Sequence, residues 1–472
     1  MIAVSVPGAP RVAIVGGGIG GLAAAAFLHR AGLPAVVYEQ APALNEVGAG
    51  LVLPPNVVRL LRRLGVMEGL ASRAVPLDVG WEFRRWEDGR VLSAEDLAGS
   101  CERLYGERTY TAHRADLHNA IACAVPAGTV RLDRRCTGVS VRGDHAVLAF
   151  ADGSCAEADV VIGADGVHSV VRGTVADPSP ARYSGICAFR AIVPAEQAPD
   201  FARRRTQTLW IGPGHHLVHY PVSGETAVNL VAFAPAGNYT TESWSATATV
   251  EEFLAEFAGW DDRLQDLIRQ AGTPGRWALL DRHPLQHWSR GPVTLLGDAA
   301  HPMFPFFAQG AAQAVEDAAV LARCLTQDPQ APARALQQYE SLRIARTTRL
   351  QQASRARAHI NHLPDGPEQE TRDQALAAGD PLAASRWIYA YDPERKSLPW
   401  VLTQGSSHCR PSSTRPPISC HTCTTTPPAR TAAHARACLR CPPSSPTGGT
   451  SSVPGERRRS CLTSPTTCPS CT

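Results

Sequence analysis

A glycine-rich turn near the start of the chain has the composition and spacing of a dinucleotide-binding site. Gly16, Gly18 and Gly21 form a G-x-G-x-x-G pattern, with Gly20 inside it, between a short apolar run and a run of small residues. Such a turn lets the backbone approach a pyrophosphate at the N-terminus of a helix. Glu39 ends the next apolar run, 23 residues after Gly16, where a carboxylate can accept both ribose hydroxyls. This order of strand, turn, helix, strand and acid predicts a site for FAD or NAD.

Two later segments distinguish between these cofactors. One reads Val-Ile-Gly-Ala-Asp-Gly-Val-His-Ser, around Asp165 and Gly166, and the other reads Leu-Leu-Gly-Asp-Ala-Ala-His-Pro-Met, around Asp298 and Pro302. Asp165 and Gly166 alone would be interpreted as a plain turn. In combination with the glycine-rich turn, the segments resemble the flavin fingerprints of the class A FAD-dependent aromatic hydroxylases. The resemblance covers about residues 10–395, and the salicylate hydroxylases and hydroxynicotinate monooxygenases are the most similar subgroup.

The resemblance implies tightly bound, non-covalent FAD. A carboxylate at Asp298 can accept hydrogen bonds from ribityl hydroxyls. The helix that follows, beginning near Gln309, can direct its amides at the pyrophosphate or the flavin pyrimidine. Arg114, in Thr-Ala-His-Arg-Ala-Asp-Leu, resembles the family's flavin-binding arginine, and the backbone of Cys136 is implied to lie beside the adenine. The predicted cofactor contacts are Gly16, Gly18, Gly20, Gly21, Glu39, Gly50, Val52, Arg114, Cys136, Asp165, Gly166, Asp298, Pro302, Gly310 and Ala311.

The resemblance also implies a reaction. Such enzymes hydroxylate a small phenolic or aromatic-acid ring with O2 and NADH or NADPH, through a flavin C4a-hydroperoxide. The protein excludes water and often helps to deprotonate the substrate. No separate nicotinamide-binding domain is visible in the sequence, which fits transient binding of the reductant.

The segment Gly-His-His-Leu-Val-His-Tyr-Pro, residues 214–221, resembles the strand that assists substrate deprotonation. Alternation along a strand places His215 and His219 on one face, and His216 and Tyr220 on the other. His215 and His219 would lie about 13 Å apart, too far to hold one small phenol together. We predict His219 as the base facing the flavin, with His215 as second and Tyr220 as third candidate. The alternative is that these histidines are solvated or structural.

Three departures from hydroxynicotinate-type enzymes affect the expected substrate. Those enzymes have His at the positions of Val52 and Phe306, and Tyr at the position of His219. The pocket of this chain is therefore expected to be more apolar, lined in part by Val52, Phe304, Phe306 and Phe307. This argues against a pyridine substrate. His301, inside the third fingerprint, is interpreted as structural.

Other activities on the same fold stay open at this point. A halogenase would be expected to contain Trp-x-Trp-x-x-Ile, which this sequence lacks. A flavin-dependent reductase, or a catalytically inactive FAD-binding protein, is a further alternative.

The elements that must position these residues predict an α/β fold. A Rossmann-like FAD-binding domain of the glutathione-reductase type is interrupted by a mostly β substrate domain and followed by C-terminal helices. The predicted boundaries are 1–182 for the first part of the FAD-binding domain, 183–280 for the substrate domain, 281–402 for the second part with the C-terminal helices, and 403–472 for a disordered tail. Helices are predicted at 56–64, 113–124, 309–325 and 334–359, and one at 250–271 inside the substrate domain.

Composition limits the partners. The net charge of +3 gives no reason to expect a nucleic-acid partner. The sequence has no uninterrupted run of 18 apolar residues, so no membrane span is predicted. The first ten residues lack the Lys or Arg of a secretory signal, so a cytoplasmic location is expected. A monomer or a homodimer is expected.

The cysteines suggest no metal site. The six cysteines before residue 400 are scattered and are interpreted as reduced thiols. In the tail, rich in Ser, Thr, Pro, Arg and Cys, Cys420-x-x-Cys423 and Cys438-x-x-Cys441 are interpreted as a chance pattern because few apolar residues accompany them. The tail also has the bias of a shifted reading frame of a GC-rich gene.

Overall fold

A computed structural model describes residues 9–44, 49–176, 180–237 and 246–394. These residues belong to one compact unit. The predicted tail, with its Cys-x-x-Cys pairs, lies outside the described residues. Among the residues that are described, no helix is both long and apolar enough to cross a membrane.

The strands of the described residues are β1 (Val12–Val15), β2 (Ala35–Tyr38), β3 (Gly50–Leu53), β4 (Val75–Pro76), β5 (Val79–Arg85), β6 (Val91–Asp96), β7 (Tyr110–His113), β8 (Val130–Arg131), β9 (Cys136–Arg142), β10 (His145–Phe150), β11 (Cys155–Ala158), β12 (Val160–Gly163), β13 (Arg182–Pro194), β14 (Thr206–Gly212), β15 (His215–Val222), β16 (Ala227–Pro235), β17 (Gly275–Asp281), β18 (Ser289–Arg290) and β19 (Val293–Leu295).

The helices of the same residues are α1 (Ile19–Arg30), α2 (Pro55–Arg63), α3 (Val66–Gly69), α4 (Ser100–Tyr105), α5 (Arg114–Cys123), α6 (Arg172–Val175), α7 (Val250–Glu256), α8 (Asp262–Arg269), α9 (Gly310–Gln327), α10 (Pro332–Asn361), α11 (Pro367–Ala378), α12 (Pro381–Ala384) and α13 (Arg386–Tyr389). Short 3₁₀ turns occupy Asp200–Arg203, Gly297–Ala299 and Pro305–Phe307.

A six-stranded sheet holds the nucleotide-binding motif, in the order β18-β19-β12-β1-β2-β8. Its strands are parallel except for the edge strand β18. β1 and β12 are buried along their whole length, as expected for central strands of a sheet covered on both faces. The alanine-rich helix α1 packs against α9 in the same core, where small side chains let helices approach closely. The predicted α/β fold is confirmed.

A seven-stranded sheet forms the second layer, in the order β17-β13-β16-β15-β14-β5-β6. Five of its strands come from the predicted substrate domain. β5 and β6 come from residues 79–96, inside the predicted first part of the FAD-binding domain, and β5 pairs in parallel with β14. One face of this sheet packs against α7 and α8 through Phe253, Phe257 and Leu264.

The single helix predicted at 250–271 is wrong, because two helices occupy that stretch. α7 ends at Glu256, and Gly259 then adopts a left-handed φ of +80°, which a continuous helix does not allow. Asp261 caps the second helix by accepting a hydrogen bond from the backbone N–H of Arg263. The helices predicted at 56–64, 113–124, 309–325 and 334–359 are confirmed as α2, α5, α9 and α10.

Candidate active site

One cavity of about 950 Å³ runs from the glycine-rich turn to the inner face of the seven-stranded sheet. This volume lies near the upper end of the range of about 300–1,000 Å³ that is usual for ligand pockets. Of the fifteen predicted cofactor residues, all but Gly21 line the cavity: Gly16, Gly18, Gly20, Glu39, Gly50, Val52, Arg114, Cys136, Asp165, Gly166, Asp298, Pro302, Gly310 and Ala311. The structure thus brings together residues that lie between Gly16 and Ala311 in the sequence, while their individual contacts with a cofactor stay predictions.

The glycines of the turn have three different steric reasons to be glycine. Gly16 has φ +106°, and a Cβ there would lie 2.4 Å from the carbonyl oxygen of Ala164. At Gly21 a Cβ would lie 1.9 Å from the carbonyl oxygen of Gly16, so this glycine permits the helix to pack on the turn. A Cβ at Gly18 would meet no atom within 4 Å and would project where the cavity begins. The empty space beside Gly18 fits a pyrophosphate at the N-terminus of α1.

The acid at the end of β2 is held in place by the backbone. Glu39 accepts hydrogen bonds from the N–H of Gly17 at 2.6 Å and of Ala41 at 2.8 Å. A carboxylate has about four acceptor positions, so the remaining lone pairs can accept ribose hydroxyls from the cavity side. His118, buried beneath the turn, lies with Nε2 2.7 Å from the carbonyl oxygen of Gly17 and helps to fix the same loop.

Asp298 presents an unpaired carboxylate to the cavity. The side chain lies deep in the protein but is accessible from the cavity. It forms no hydrogen bond with any described residue. Burial raises the pKa of this carboxyl above its usual value. The first residues of α9, Gly310 and Ala311, line the same part of the cavity. An acceptor beside a helix N-terminus fits a cofactor that has both hydroxyls and negatively charged groups.

Asp165 has a structural task as well. Its carboxylate accepts hydrogen bonds from Ser169 Oγ at 2.5 Å, and from the N–H of Val170 at 2.8 Å and Val171 at 3.2 Å. Burial raises the pKa of this carboxyl. These bonds shape the loop after β12, which is the structural role expected if Asp165 and Gly166 form a plain turn. Asp165 also borders the cavity.

A buried ion network supports the third fingerprint from below, and sequence analysis did not predict it. Asp317 accepts hydrogen bonds from the N–H of Gly297 at 3.0 Å and from Arg343 Nε at 2.6 Å, and it lies 2.6 Å from His301 Nε2. Glu316 pairs with Arg343 and Arg346, each at 2.8 Å. Burial works against both carboxylates, but the neighbouring cations hold their pKa values below the usual range. The interpretation of His301 as structural agrees with these contacts.

The histidines predicted as bases face away from the cavity, so that prediction is wrong. His219 is 1% exposed and accepts a hydrogen bond from Trp210 Nε1 at 3.2 Å. Burial lowers the pKa of His219 to about 3. His215 lies 3.1 Å from Glu256 of α7. The alternation along β15 holds, but protein covers the face that carries these two residues. Glu256 of α7 contacts His215, and Phe201 of the 3₁₀ turn Asp200–Arg203 packs on the ring of His219.

The opposite face of β15 contributes His216, Val218 and Tyr220 to the cavity. His216 Nδ1 lies 2.6 Å from His362 Nε2, and its ring stacks on Phe233 with centroids 4.5 Å apart. Burial lowers the pKa of His216 well below its usual value. Burial raises the pKa of Tyr220, which therefore stays a phenol and a hydrogen-bond donor. The third catalytic candidate is thus the one of the three that borders the cavity.

The expected apolar lining is present in part. Val52 and Phe306 border the cavity, and Phe304 packs beside Phe306 with ring centroids 5.5 Å apart. Phe307 instead lies under the guanidinium of Arg357, 4.6 Å from its ring centroid.

Arg190, on β13, is a cavity cation that sequence analysis missed. Its guanidinium lies 4.7 Å from the ring centroid of Trp277, which also lines the cavity. Burial lowers the pKa of Arg190 to about 10, so the side chain remains charged at neutral pH. The signal was available in the sequence, because Arg190 is a single charged residue inside a run of apolar residues, Ala-Phe-Arg-Ala-Ile-Val.

Comparison with known proteins agrees with this geometry. Residues 10–354 match the family described as FAD binding domain. The 3-amino-4-hydroxybenzoate 2-monooxygenase PtnB3 of Streptomyces platensis is 42% identical, over 81% of this chain and 96% of that protein. The 6-hydroxynicotinate 3-monooxygenase of Bordetella bronchiseptica is 38% identical, over 76% of this chain and 94% of that protein.

A solved structure resembles the fold over the same region. HpxO of Klebsiella pneumoniae, complexed with FAD and uric acid, superposes with a TM-score of 0.72 and 29% identity, and covers 80% of this chain and 96% of that one.

A dinucleotide cradle that opens onto a largely apolar end, closed by a β-sheet, fits the class of flavoprotein hydroxylases. The chain belongs to the FAD binding domain family, within its aromatic hydroxylases, and is an FAD-dependent monooxygenase. The resemblance seen in the sequence is confirmed.

Proposed function

We propose that the enzyme hydroxylates a small phenol or aromatic acid, with NADH or NADPH as reductant. One atom of O2 enters the ring and the other leaves as water, while the nicotinamide gives up two electrons. The observation that carries this proposal is the continuity of the cavity, which joins the glycine-rich turn to the His216 face of the seven-stranded sheet. When bound, FAD supplies electron transfer from the nicotinamide and activation of oxygen.

His216 is proposed to hold the proton of the phenolic hydroxyl. It borders the cavity, and its neutral imidazole can accept a hydrogen bond from that hydroxyl through Nε2 when Nδ1 donates to His362. A ring carbon becomes more reactive as its hydroxyl loses the proton, so a base at this point assists oxygen transfer. Tyr220, on the same strand face, can donate a hydrogen bond to the oxygen that forms.

Arg190 is proposed to favour negatively charged substrates. It is a half-buried cation of the cavity wall, where charge is screened less than on an open surface. The relatives named as hydroxybenzoate and hydroxynicotinate monooxygenases act on aromatic acids. A carboxylate on the ring would be attracted to the same wall of this cavity.

A screen of aromatic acids tests the proposal. The purified enzyme is mixed with NADH or NADPH and with 3-amino-4-hydroxybenzoate, 4-hydroxybenzoate, 3-hydroxybenzoate, salicylate or 6-hydroxynicotinate. Reductant oxidation and product mass are then followed together. A true substrate stimulates oxidation and yields a product with one additional oxygen, with loss of CO2 where that oxygen replaces the carboxyl group. The proposal is contradicted if reductant oxidation by the FAD-loaded enzyme is never accompanied by a hydroxylated product.

A further inference from the structure

Asn361 is a buried polar side chain without a partner. It is 1% exposed, and neither Oδ1 nor Nδ2 forms a hydrogen bond with any described residue. Exchanging the two atoms would not help, because both lack a partner. Leaving a buried amide unpaired destabilises a folded protein, so each such group calls for an explanation. Asn361 also lines the cavity, and a group brought in by a ligand could pair with it.

The fold fixes this amide beside the proposed base. Asn361 is the last residue of α10, and the next residue, His362, lies 2.6 Å from His216. The carbonyl of His362 accepts a hydrogen bond from the N–H of Gly214, at the turn before β15. One turn earlier on α10, Ala358 packs in the cluster that contains Phe233 and Phe306. The amide is thus anchored at the largely apolar, substrate end of the cavity.

Two other buried amides of the cavity wall differ from Asn361. Asn229 Oδ1 accepts the N–H of Gly50 at 2.6 Å, and Gln309 Oε1 accepts Asn56 Nδ2 at 3.0 Å. Each of these amides is oriented by the protein, so only its nitrogen lacks a partner among the described residues. Asn361 keeps both a donor and an acceptor available.

We propose that Asn361 is a specificity-determining residue, which pairs with a ring substituent that both donates and accepts hydrogen bonds. The inference rests on the proposed hydroxylation of a phenol at this cavity. An amide matches a ring amino group, which donates to Oδ1, next to a hydroxyl oxygen, which accepts from Nδ2. A carboxylate could satisfy only the nitrogen. A phenol with an amino group on the neighbouring carbon carries both of these groups.

The proposal predicts discrimination against rings that lack the amino group. A site built around a hydrogen-bonding group rejects an analogue without it, because the protein group is then left unpaired. 3-Amino-4-hydroxybenzoate and 4-hydroxybenzoate differ in this group alone. Wild-type enzyme should bind the first at least about tenfold more tightly than the second.

The test replaces Asn361 with leucine, which has a similar volume and no polar atoms. Dissociation constants for both phenols are measured on the FAD-loaded enzyme from the change in flavin absorbance, together with Tm without ligand. Asn361→Leu should abolish the preference by weakening binding of the aminophenol at least about tenfold, with 4-hydroxybenzoate little changed. Tm without ligand should rise, because an unpaired buried amide has been removed. Asn119→Leu, at an exposed position of α5, is the control for the exchange itself.

Results that contradict the role of Asn361 can be distinguished from results that contradict the proposed hydroxylation. A lower Tm with an unchanged preference would show that the amide is structural, with water as its partner. Equal wild-type affinity for both phenols would overturn the role of Asn361 while leaving hydroxylation intact. Wild-type enzyme that binds neither phenol and hydroxylates no aromatic acid would overturn both. If Asn361→Leu does not fold, the same ratio is measured on Asn361→Ala.

Discussion

His216 and His219 project from opposite faces of β15, and of the two only His216 lines the cavity. Both are almost completely buried, at 1% exposure, and burial lowers the pKa of each. Their surroundings differ in the partner of the ring nitrogen. His216 contacts His362, which is half-buried, whereas His219 accepts a hydrogen bond from Trp210 inside the core. The first arrangement suits proton transfer, and the second suits packing.

Replacing His216 by asparagine should impair the chemical step. The variant should retain FAD, but hydroxylation should slow by about 10²–10⁴-fold, since general-base assistance is lost. More of the reducing equivalents should then appear as hydrogen peroxide. A higher pH should partly restore hydroxylation, because solvent then removes the phenolic proton. Stopped-flow spectra and peroxide yield measure both effects.

His219→Asn is the matched control for this change. It removes the acceptor of Trp210 in the core, so Tm should fall while the ratio of product to peroxide stays at the wild-type value. If the two variants produced the same excess of peroxide, the assignment of His216 would be refuted.

Gly18→Val should prevent FAD binding. The side chain would project into open space at the edge of the cavity, where the pyrophosphate is expected, so the apoprotein should fold while the cofactor is blocked. Gly173→Val introduces the same atoms at an exposed position that also has no neighbour within 4 Å and does not line the cavity. Flavin absorbance per protein measures occupancy. Normal FAD content in Gly18→Val would contradict the assigned position of the pyrophosphate.

Arg343→Met should strongly destabilise the fold. The change leaves Asp317 and Glu316 with fewer cationic partners in the core, and removing one member of a buried ion pair costs about 3–5 kcal/mol. Arg334→Met, which breaks a surface pair with Asp328, should cost far less, because solvent screens that pair. Urea unfolding of the FAD-loaded proteins gives both values. Equal losses in the two variants would show that the buried network adds nothing beyond a surface pair.

The buried histidines should make the fold sensitive to mild acid. Burial lowers the pKa of His219 to about 3 and that of His362 to about 4, whereas both groups titrate near their usual value in the unfolded chain. The unfolded state therefore binds protons that the folded state does not, and the free energy of unfolding falls as pH drops below about 6.5. Each histidine contributes a slope of about 1.4 kcal/mol per pH unit.

Urea unfolding of wild type and His219→Phe between pH 7.5 and 5 measures this effect. The variant should lack the contribution of one histidine, so its unfolding free energy should fall less steeply below pH 6. Identical slopes would mean that His219 binds protons equally in the folded and the unfolded protein, and would contradict the lowered pKa.

The sequence allowed the cofactor end of the site to be predicted because local rules govern it. Gly16, Gly18 and Glu39 belong to one βαβ unit, so their spacing determines their geometry. Alternation likewise grouped His216 with Tyr220 correctly. Which face of β15 meets the cavity depends on α7 and the 3₁₀ turn Asp200–Arg203, which lie outside the strand and cover the other face. Strand periodicity contains no information on that choice.

Other contributions of distant segments to the sheet and to the cavity were likewise not predicted from the sequence. β5, which spans Val79–Arg85, pairs with β14 in the seven-stranded sheet. Asn361 lines the cavity as the last residue of α10. The ion network around Arg343 depends on how α10 packs on α9. Local sequence patterns predict the helices and strands, whereas these contacts depend on how the helices and strands pack together.

Oxygen incorporation from labelled O2 tests the central claim most directly. The FAD-loaded enzyme, NADH or NADPH and 3-amino-4-hydroxybenzoate are incubated under ¹⁸O2 in unlabelled water, and the product is analysed by mass spectrometry. The account predicts a product with one additional oxygen that is ¹⁸O, formed in proportion to the reductant consumed. A product whose new oxygen came from water, or oxidation of the reductant with peroxide alone for every aromatic acid of the screen, would contradict it.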